Sequence, residues 1–140
     1  MDIVTVGRRS GRERVTEIWT TPLFGRLFLC GTPNATKPGV VHQPRDWLAN
    51  LIAEPRFVLR LKRGVEAALP ASAERVLDPV MRHRILTAPS TAYYRDRAPS
   101  FEAALAHAPM VEVHFVDEAT WLTDALARAA DDQSDARDRA

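Results

Sequence analysis

The segment that decides how this chain begins to fold is Gly7-Arg8-Arg9-Ser10-Gly11-Arg12-Glu13-Arg14. It separates the alternating residues Val4 and Val6 from a second β-branched and aromatic stretch that starts at Val15, a pattern typical of a β-hairpin. Glycine N–H groups, a serine hydroxyl and four guanidinium groups are donors that suit an anion such as phosphate. A solvated turn whose arginines keep a sheet edge soluble is the alternative.

Composition limits the rest of the chain. Its 140 residues are 46% hydrophobic and 26% charged, which favours one domain; we expect it to span residues 1–130, followed by a polar, disordered tail over residues 131–140. A net charge of +1 argues against a nucleic-acid binder. Cys30 is the only cysteine, so an internal disulfide and a cysteine zinc site are excluded, and its apolar neighbours predict a buried thiol.

No apolar run approaches the ~20 residues of a membrane span, and no secretory leader is recognisable, so we expect a cytoplasmic protein without a membrane partner.

Alternation and helical periodicity divide the chain into short elements. Strands are predicted over residues 3–7, 15–22, 27–31, 57–62, 65–76 and 110–115, and helices over residues 46–54, 78–86 and 118–130. A proline-containing loop covers residues 32–44, and residues 87–99 show no firm pattern. About six antiparallel strands, the first three sequential, predict a mainly β protein with flanking helices, closed as a small barrel.

Two motifs together carry a family resemblance. The arginine turn, then Trp19, then the segment Asp46-Trp47-Leu48-Ala49-Asn50-Leu51-Ile52-Ala53-Glu54-Pro55-Arg56 resemble the deazaflavin-dependent nitroreductase family over roughly the first half of the chain. The resemblance implies a split β-barrel related to FMN-binding, pyridoxamine-phosphate-oxidase-like proteins. Relatives with this barrel commonly pair into homodimers, and the sequence leaves open whether this chain does.

The resemblance also implies a cofactor, F420 or alternatively FMN, held between barrel strands. The residues that would contact its phosphate are Arg8, Arg9, Ser10, Gly11, Arg12, Arg14 and Thr16. Thr32 would face the deazaflavin edge, and Trp47 and Asn50 would pack against the ring system and hydrogen-bond to it; an anchor in the core is the alternative for Trp47. Where relatives have a lysine and glycines this chain has Pro33-Asn34-Ala35, so Lys37, or otherwise Arg45, would supply the missing cation.

The implied activity is hydride transfer between F420 and a small organic acceptor of quinone, nitroaromatic or enone type. Tyr93 and Tyr94 would form the substrate wall and donate a proton or a hydrogen bond, with ordinary packing as the alternative. His42 could reach the site from its loop or be solvated. No histidines or carboxylates fall at a metal-ligand spacing, so no metal site is predicted.

Three other functions stay open. The protein could be an FMN-dependent oxidoreductase of the same barrel type, or a carrier that binds F420 or flavin without catalysis, which the missing lysine-glycine segment favours. It could also bind RNA or an acidic partner through the arginine turn, although no aromatic residues interleave with the arginines as they do in many such surfaces.

Overall fold

The computed structural model describes residues 1–62 and 66–116, which form seven β-strands, four α-helices and a short 3-10 helix. In chain order these are β1 (Asp2–Val6), β2 (Glu13–Glu17), β3 (Thr20–Leu23), β4 (Arg26–Cys30), α1 (Asp46–Ala53), β5 (Arg56–Leu61), β6 (Ala67–Arg75), α2 (Pro79–Thr87), the 3-10 helix (Pro89–Thr91), α3 (Ala92–Arg97), α4 (Phe101–His107) and β7 (Met110–Phe115). None of the helices in these two ranges is long and apolar enough to cross a bilayer.

All seven strands belong to one antiparallel sheet with the order β2-β1-β5-β6-β7-β4-β3. Its two outermost strands, β2 and β3, are joined by Ile18 and Trp19 alone. A linker of that length spans about 10 Å, so the sheet has to curl until its edges approach each other. The architecture is mainly β with flanking helices and is consistent with a split barrel, as the sequence predicts.

The strand predicted over residues 15–22 is in fact two strands. Pairing with β1 ends at Glu17, opposite Asp2, and pairing with β4 begins at Thr20, opposite Leu29. Between them Ile18 is buried in the core and its N–H donates to the carbonyl of Met1 at 2.9 Å. The first strands are therefore not a sequential sheet, and the strand count is seven, because side-chain alternation continues through a change of partner strand.

The helices follow the sequence in part. α1 and α2 lie where predicted, and the Asp78 side chain caps α2 by accepting from the Val80 N–H at 3.1 Å. The 3-10 helix and α3 occupy the segment that shows no firm pattern, and α4, capped by Ser100, is not predicted at all. The predicted helix over residues 118–130 and the tail over residues 131–140 lie outside the described residues.

The core packs on both faces of β4. Leu27 and Leu29 join an apolar cluster with β1, β5, β7 and α1, whereas Phe28 and Cys30 pack against α2 and α4. Burial on both faces explains why this strand is a continuous apolar run. Cys30 is a buried free thiol, as predicted, and burial raises its pKa to about 12.

Candidate functional site

The arginine turn between β1 and β2 is fixed by its own backbone. The Gly7 N–H donates to the Arg12 carbonyl and the Gly11 N–H donates to the Gly7 carbonyl, both at 2.8 Å. Gly11 has a φ of +67°, which side chains adopt only with strain. A Cβ at Gly7 would lie 2.7 Å from the Ser10 hydroxyl oxygen and 3.2 Å from the Arg12 carbonyl oxygen, so a side chain at position 7 would crowd the turn.

Helix α1 holds the turn through Asn50. This buried side chain accepts two hydrogen bonds at Oδ1, from the Arg8 backbone N–H at 3.2 Å and from Arg8 Nη1 at 3.0 Å. Arg8 Nη2 also donates to the exposed Asp46 carboxylate at 3.2 Å. Arg8 therefore connects the turn to the helix, and it provides the hydrogen-bond partner that the buried Asn50 side chain needs.

Trp47 sets the distance between α1 and the sheet. Its side chain is only 9% exposed and belongs to the core cluster, and a Cβ at Gly31 would lie 3.4 Å from its Cζ2 atom. The indole thus packs against Gly31, the residue that follows β4, at a distance that a Cβ would also tolerate. Its remaining surface lines the cavity described next, so Trp47 is both a core anchor and part of the site.

A cavity of about 470 Å³ lies between the turn, β2 and α1, within the range of roughly 300–1,000 Å³ that ligand sites occupy. Its lining residues are Gly7, Arg8, Arg9, Ser10, Arg14, Val15, Thr16, Asp46, Trp47 and Asn50. Seven of the eleven residues assigned to the cofactor from sequence are among them, although they come from two motifs more than 30 positions apart.

Three lining residues, Gly7, Val15 and Asp46, were not among the cofactor residues predicted, although Gly7 belongs to the arginine turn itself. Val15 is 56% exposed on the edge strand β2 and gives the cavity an apolar wall. A large apolar side chain in an otherwise polar strand is the sequence signal that could have indicated it. Asp46 has no such signal, because an acid in the first turn of a helix is common for reasons of helix stability alone.

The electrostatics of the cavity favour an anion near the turn. In the part of the chain that the structure describes, neither Arg9 nor Arg14 makes an ion pair, whereas Arg8 and Asp46 largely satisfy each other. The Ser10 hydroxyl oxygen accepts from the Arg12 N–H at 3.2 Å and keeps its proton free to donate. Two guanidinium groups and a hydroxyl donor therefore line the same cavity, a donor set that suits a phosphate group.

The other four predicted cofactor residues do not line this cavity within the described ranges. Gly11 contributes its backbone conformation, and the Arg12 carbonyl closes the turn. The Thr32 carbonyl accepts from Arg45 Nε at 2.7 Å, and Lys37 lies in an exposed turn of the loop before α1, where its carbonyl accepts from the Val40 N–H. Neither Lys37 nor Arg45 takes part in the cavity wall that the described residues form.

Tyr93 and Tyr94 lie on α3 in an aromatic cluster with Trp19. The centroid of the Trp19 ring lies 5.4 Å from that of Tyr93 and 6.5 Å from that of Tyr94. The guanidinium carbon of Arg97 lies 3.3 Å from the Tyr93 ring centroid. Burial raises the pKa of Tyr94, which makes this phenol a weaker acid than an exposed tyrosine. Among the described residues neither tyrosine lines the cavity at the arginine turn, so the alternative of ordinary packing accounts for their observed contacts.

Histidine and carboxylate side chains do not assemble into a metal site in residues 1–62 and 66–116, where no group of three or more potential ligands is found. His42 lines a different cavity, in which its ring stacks on that of His107.

No family model matches the chain, and no curated protein matches it. Among solved structures it is similar to the conserved hypothetical protein Rv2991 from Mycobacterium tuberculosis, with a TM-score of 0.46 and 19% sequence identity over 84% of this chain and 71% of that chain. A similarity this distant identifies neither a family nor a function.

Proposed function

We propose that the cavity at the arginine turn binds the deazaflavin cofactor F420, and that the protein is an oxidoreductase acting on a small organic acceptor of quinone, nitroaromatic or enone type. The observation that carries the proposal is the meeting of the two sequence motifs around one cavity. Arg9 and Ser10 come from the first motif, and Trp47 and Asn50 from the second.

The residues present fit the phosphate part of such a cofactor. Arg9 and Arg14 offer guanidinium groups that no described carboxylate neutralises, and Gly7 lets the backbone of the turn approach closely. Several guanidinium groups also suit the further negative charges of the F420 tail better than a single cation would. The negative charge of Asp46 repels an anion in the cavity, but the ion pair that Asp46 forms with Arg8 reduces this repulsion.

The apolar part of the cavity fits a planar ring. Val15 on β2 and the accessible part of Trp47 on α1 both line the cavity and can contact a planar ring between them. When bound, F420 supplies a hydride donor, and this chain would hold the ring, orient it and leave one face accessible to an acceptor. Tyr93 and Tyr94 as proton donors stay a prediction, tested by replacing each with phenylalanine.

A carrier without catalysis is the second candidate. Asp46 is the only lining residue in the described ranges, apart from the arginines, that carries an ionisable side chain, and it is already paired with Arg8. A site without an unpaired acid or base suits a carrier and equally suits hydride transfer from F420, so turnover has to decide between them. Turnover of reduced F420 with a panel of quinones and nitroaromatics separates the two candidates, because a carrier binds without turnover.

The experiment is an equilibrium titration of the protein with F420, followed by F420 fluorescence, and a separate titration with FMN. The double variant Arg9→Ala/Ser10→Ala should weaken F420 binding by about tenfold or more, since it removes a charge-assisted hydrogen bond and a hydroxyl donor. The matched control is Arg60→Ala/Ser90→Ala, which removes the same groups from exposed positions outside the cavity.

Each result has a distinct meaning. F420 binding that the double variant loses and the control retains supports the proposal. Tight FMN binding with weak F420 binding would assign the protein to the FMN-dependent class. Equal binding by the double variant and the control would refute the assignment of the phosphate to the arginine turn.

A further inference from the structure

A second cavity, of about 510 Å³, lies behind α1. It is formed by the loop before α1, the end of β6, α2 and the end of α4. It shares none of its described lining residues with the first cavity. Trp47 and Leu48, neighbours on α1, line one cavity each.

Arg82 is the most buried cation in this wall. Its guanidinium donates to the carbonyl oxygens of Leu105 at 2.8 Å, Ala108 at 2.8 Å and Val76 at 3.1 Å. These three bonds use three of the five N–H groups of an arginine, which leaves two available. In the described part of the chain no carboxylate pairs with Arg82, and burial lowers its pKa. The C-terminal carbonyls of α4 offset only part of a full positive charge.

A second arginine, Arg75, adds positive charge to this cavity wall. Arg75 is close enough to Arg82 to lower its pKa further, and it makes no ion pair within residues 1–62 and 66–116. The nearest acids along the chain have other partners: Glu74 Oε2 lies 3.1 Å from His114 Nε2, and Asp78 caps α2. Arg75 also borders a neighbouring cavity that holds acidic residues, but the described wall that it shares with Arg82 contains no carboxylate, an arrangement that an anion would stabilise.

Two histidines form a further part of this cavity wall. The rings of His42 and His107 stack at 4.0 Å and 16°, and both burial and the neighbouring His107 lower the pKa of His42. Thr36 Oγ1 lies 2.9 Å from His42 Nδ1, whereas the buried Nε2 atom has no partner among the described residues. No aspartate or glutamate is found in the described lining, so every ionisable group there is cationic or neutral.

The remaining wall is aliphatic. Leu48, Val76 and Met110 are buried core residues that present their edges to the cavity, and Val41 and Leu77 lie at its exposed rim. We propose that this second cavity binds a small aliphatic carboxylate, with its carboxylate group at Arg82 and Arg75 and its hydrocarbon chain against Leu48, Val76 and Met110. A planar carboxylate can accept two parallel hydrogen bonds from a guanidinium group, and a hydrocarbon chain is stabilised by burial against aliphatic side chains. This site is independent of the function proposed for the first cavity.

Calorimetric titration with octanoate tests the proposal, and octanamide, which has the same chain length without the charge, is the matched ligand control. Octanoate should bind at least fivefold more tightly than octanamide at low ionic strength, and salt should reduce the difference. Arg75→Gln should weaken octanoate binding by about two- to fivefold, the range expected for a partly exposed ion pair, and should leave octanamide binding unchanged.

A second variant tests the location without removing a charge. Ala106 is an exposed position of α4 in the cavity wall, so Ala106→Phe should fill the space and abolish binding of both ligands while the fold is retained. Arg60→Ala, outside both cavities, serves as the protein control. Equal affinity for octanoate and octanamide, or no binding at millimolar concentration, overturns the proposal. Loss of octanoate binding in Arg9→Ala but not in Arg75→Gln also overturns it, because the carboxylate would then occupy the first cavity.

Discussion

Removing the Asn50 amide should separate the arginine turn from helix α1. Asn50→Ala deletes the acceptor for the Arg8 backbone N–H and for Arg8 Nη1 in a side chain that is only 5% exposed. Each of the two hydrogen bonds contributes about 1 kcal/mol. The bond from the charged Arg8 Nη1 receives no extra contribution for its charge, because the Arg8 side chain is 30% exposed and solvent screens it. We therefore expect a loss of about 2 kcal/mol in the free energy of unfolding.

Urea denaturation at pH 7 measures this loss, which corresponds to a midpoint shift of about 1 M for a domain of this size. Arg8→Ala alone should cost about 1 kcal/mol, because the backbone bond survives, and the double variant should show a coupling of about 1 kcal/mol. Asn50→Asp, which keeps an acceptor at the same atom, should retain most of the stability. A cost below about 0.5 kcal/mol for Asn50→Ala, or a coupling near zero, would refute the assignment of Asn50 as the anchor of the turn.

Three further predictions concern the turn, the sheet and the thiol. Gly7→Ala should destabilise the fold by about 1 kcal/mol in urea denaturation, because its Cβ would lie 3.2 Å from the Arg12 carbonyl oxygen and displace the Ser10 hydroxyl; an unchanged midpoint would contradict the tight turn. Arg26→Met should cost about 1–2 kcal/mol in the same assay, since it leaves the buried Glu112 carboxylate without its two-pronged partner, and a stability equal to that of the parent would show that the ion pair is dispensable. Cys30 should resist thiol reagents at pH 8 until the protein unfolds. Because its pKa is raised to about 12 from 9.0, stability should fall as the pH rises between these values, and rapid labelling of the native protein would contradict the burial.

Much of the sheet could be predicted from the sequence because strand alternation and glycine turns are local signals. The break at Ile18 and Trp19 could not, since it depends on which strands lie on either side and not on the side-chain pattern. α4 was missed for a related reason: its seven residues make a weak helical pattern, and burial of Ala104 against α2 and β7 stabilises it in the folded chain.

At the candidate site, too, the local motifs could be predicted and the contacts between distant residues could not. The arginine turn and the residues of α1 could be identified from motifs, but their separation along the chain hides the bond between Arg8 and Asn50 that joins them. Lys37 was assigned by analogy with a cation missing from the motif, and nothing in a loop sequence fixes where such a side chain lies. The pairing of His42 with His107 joins residues 65 positions apart and has no sequence signal.

The strand order has a consequence for how the first cavity comes into being. All of its described lining residues lie within the first 50 positions, yet the hairpins β1–β2 and β3–β4 stand at opposite ends of the sheet and are connected through β5, β6 and β7. Phe28 pairs opposite Glu112, so the ring of strands stays incomplete until nearly all of the described chain has left the ribosome. Pairings this distant make folding slow and cooperative. The first 50 residues, synthesised alone, would thus carry every described side chain of the cavity and still fail to form it.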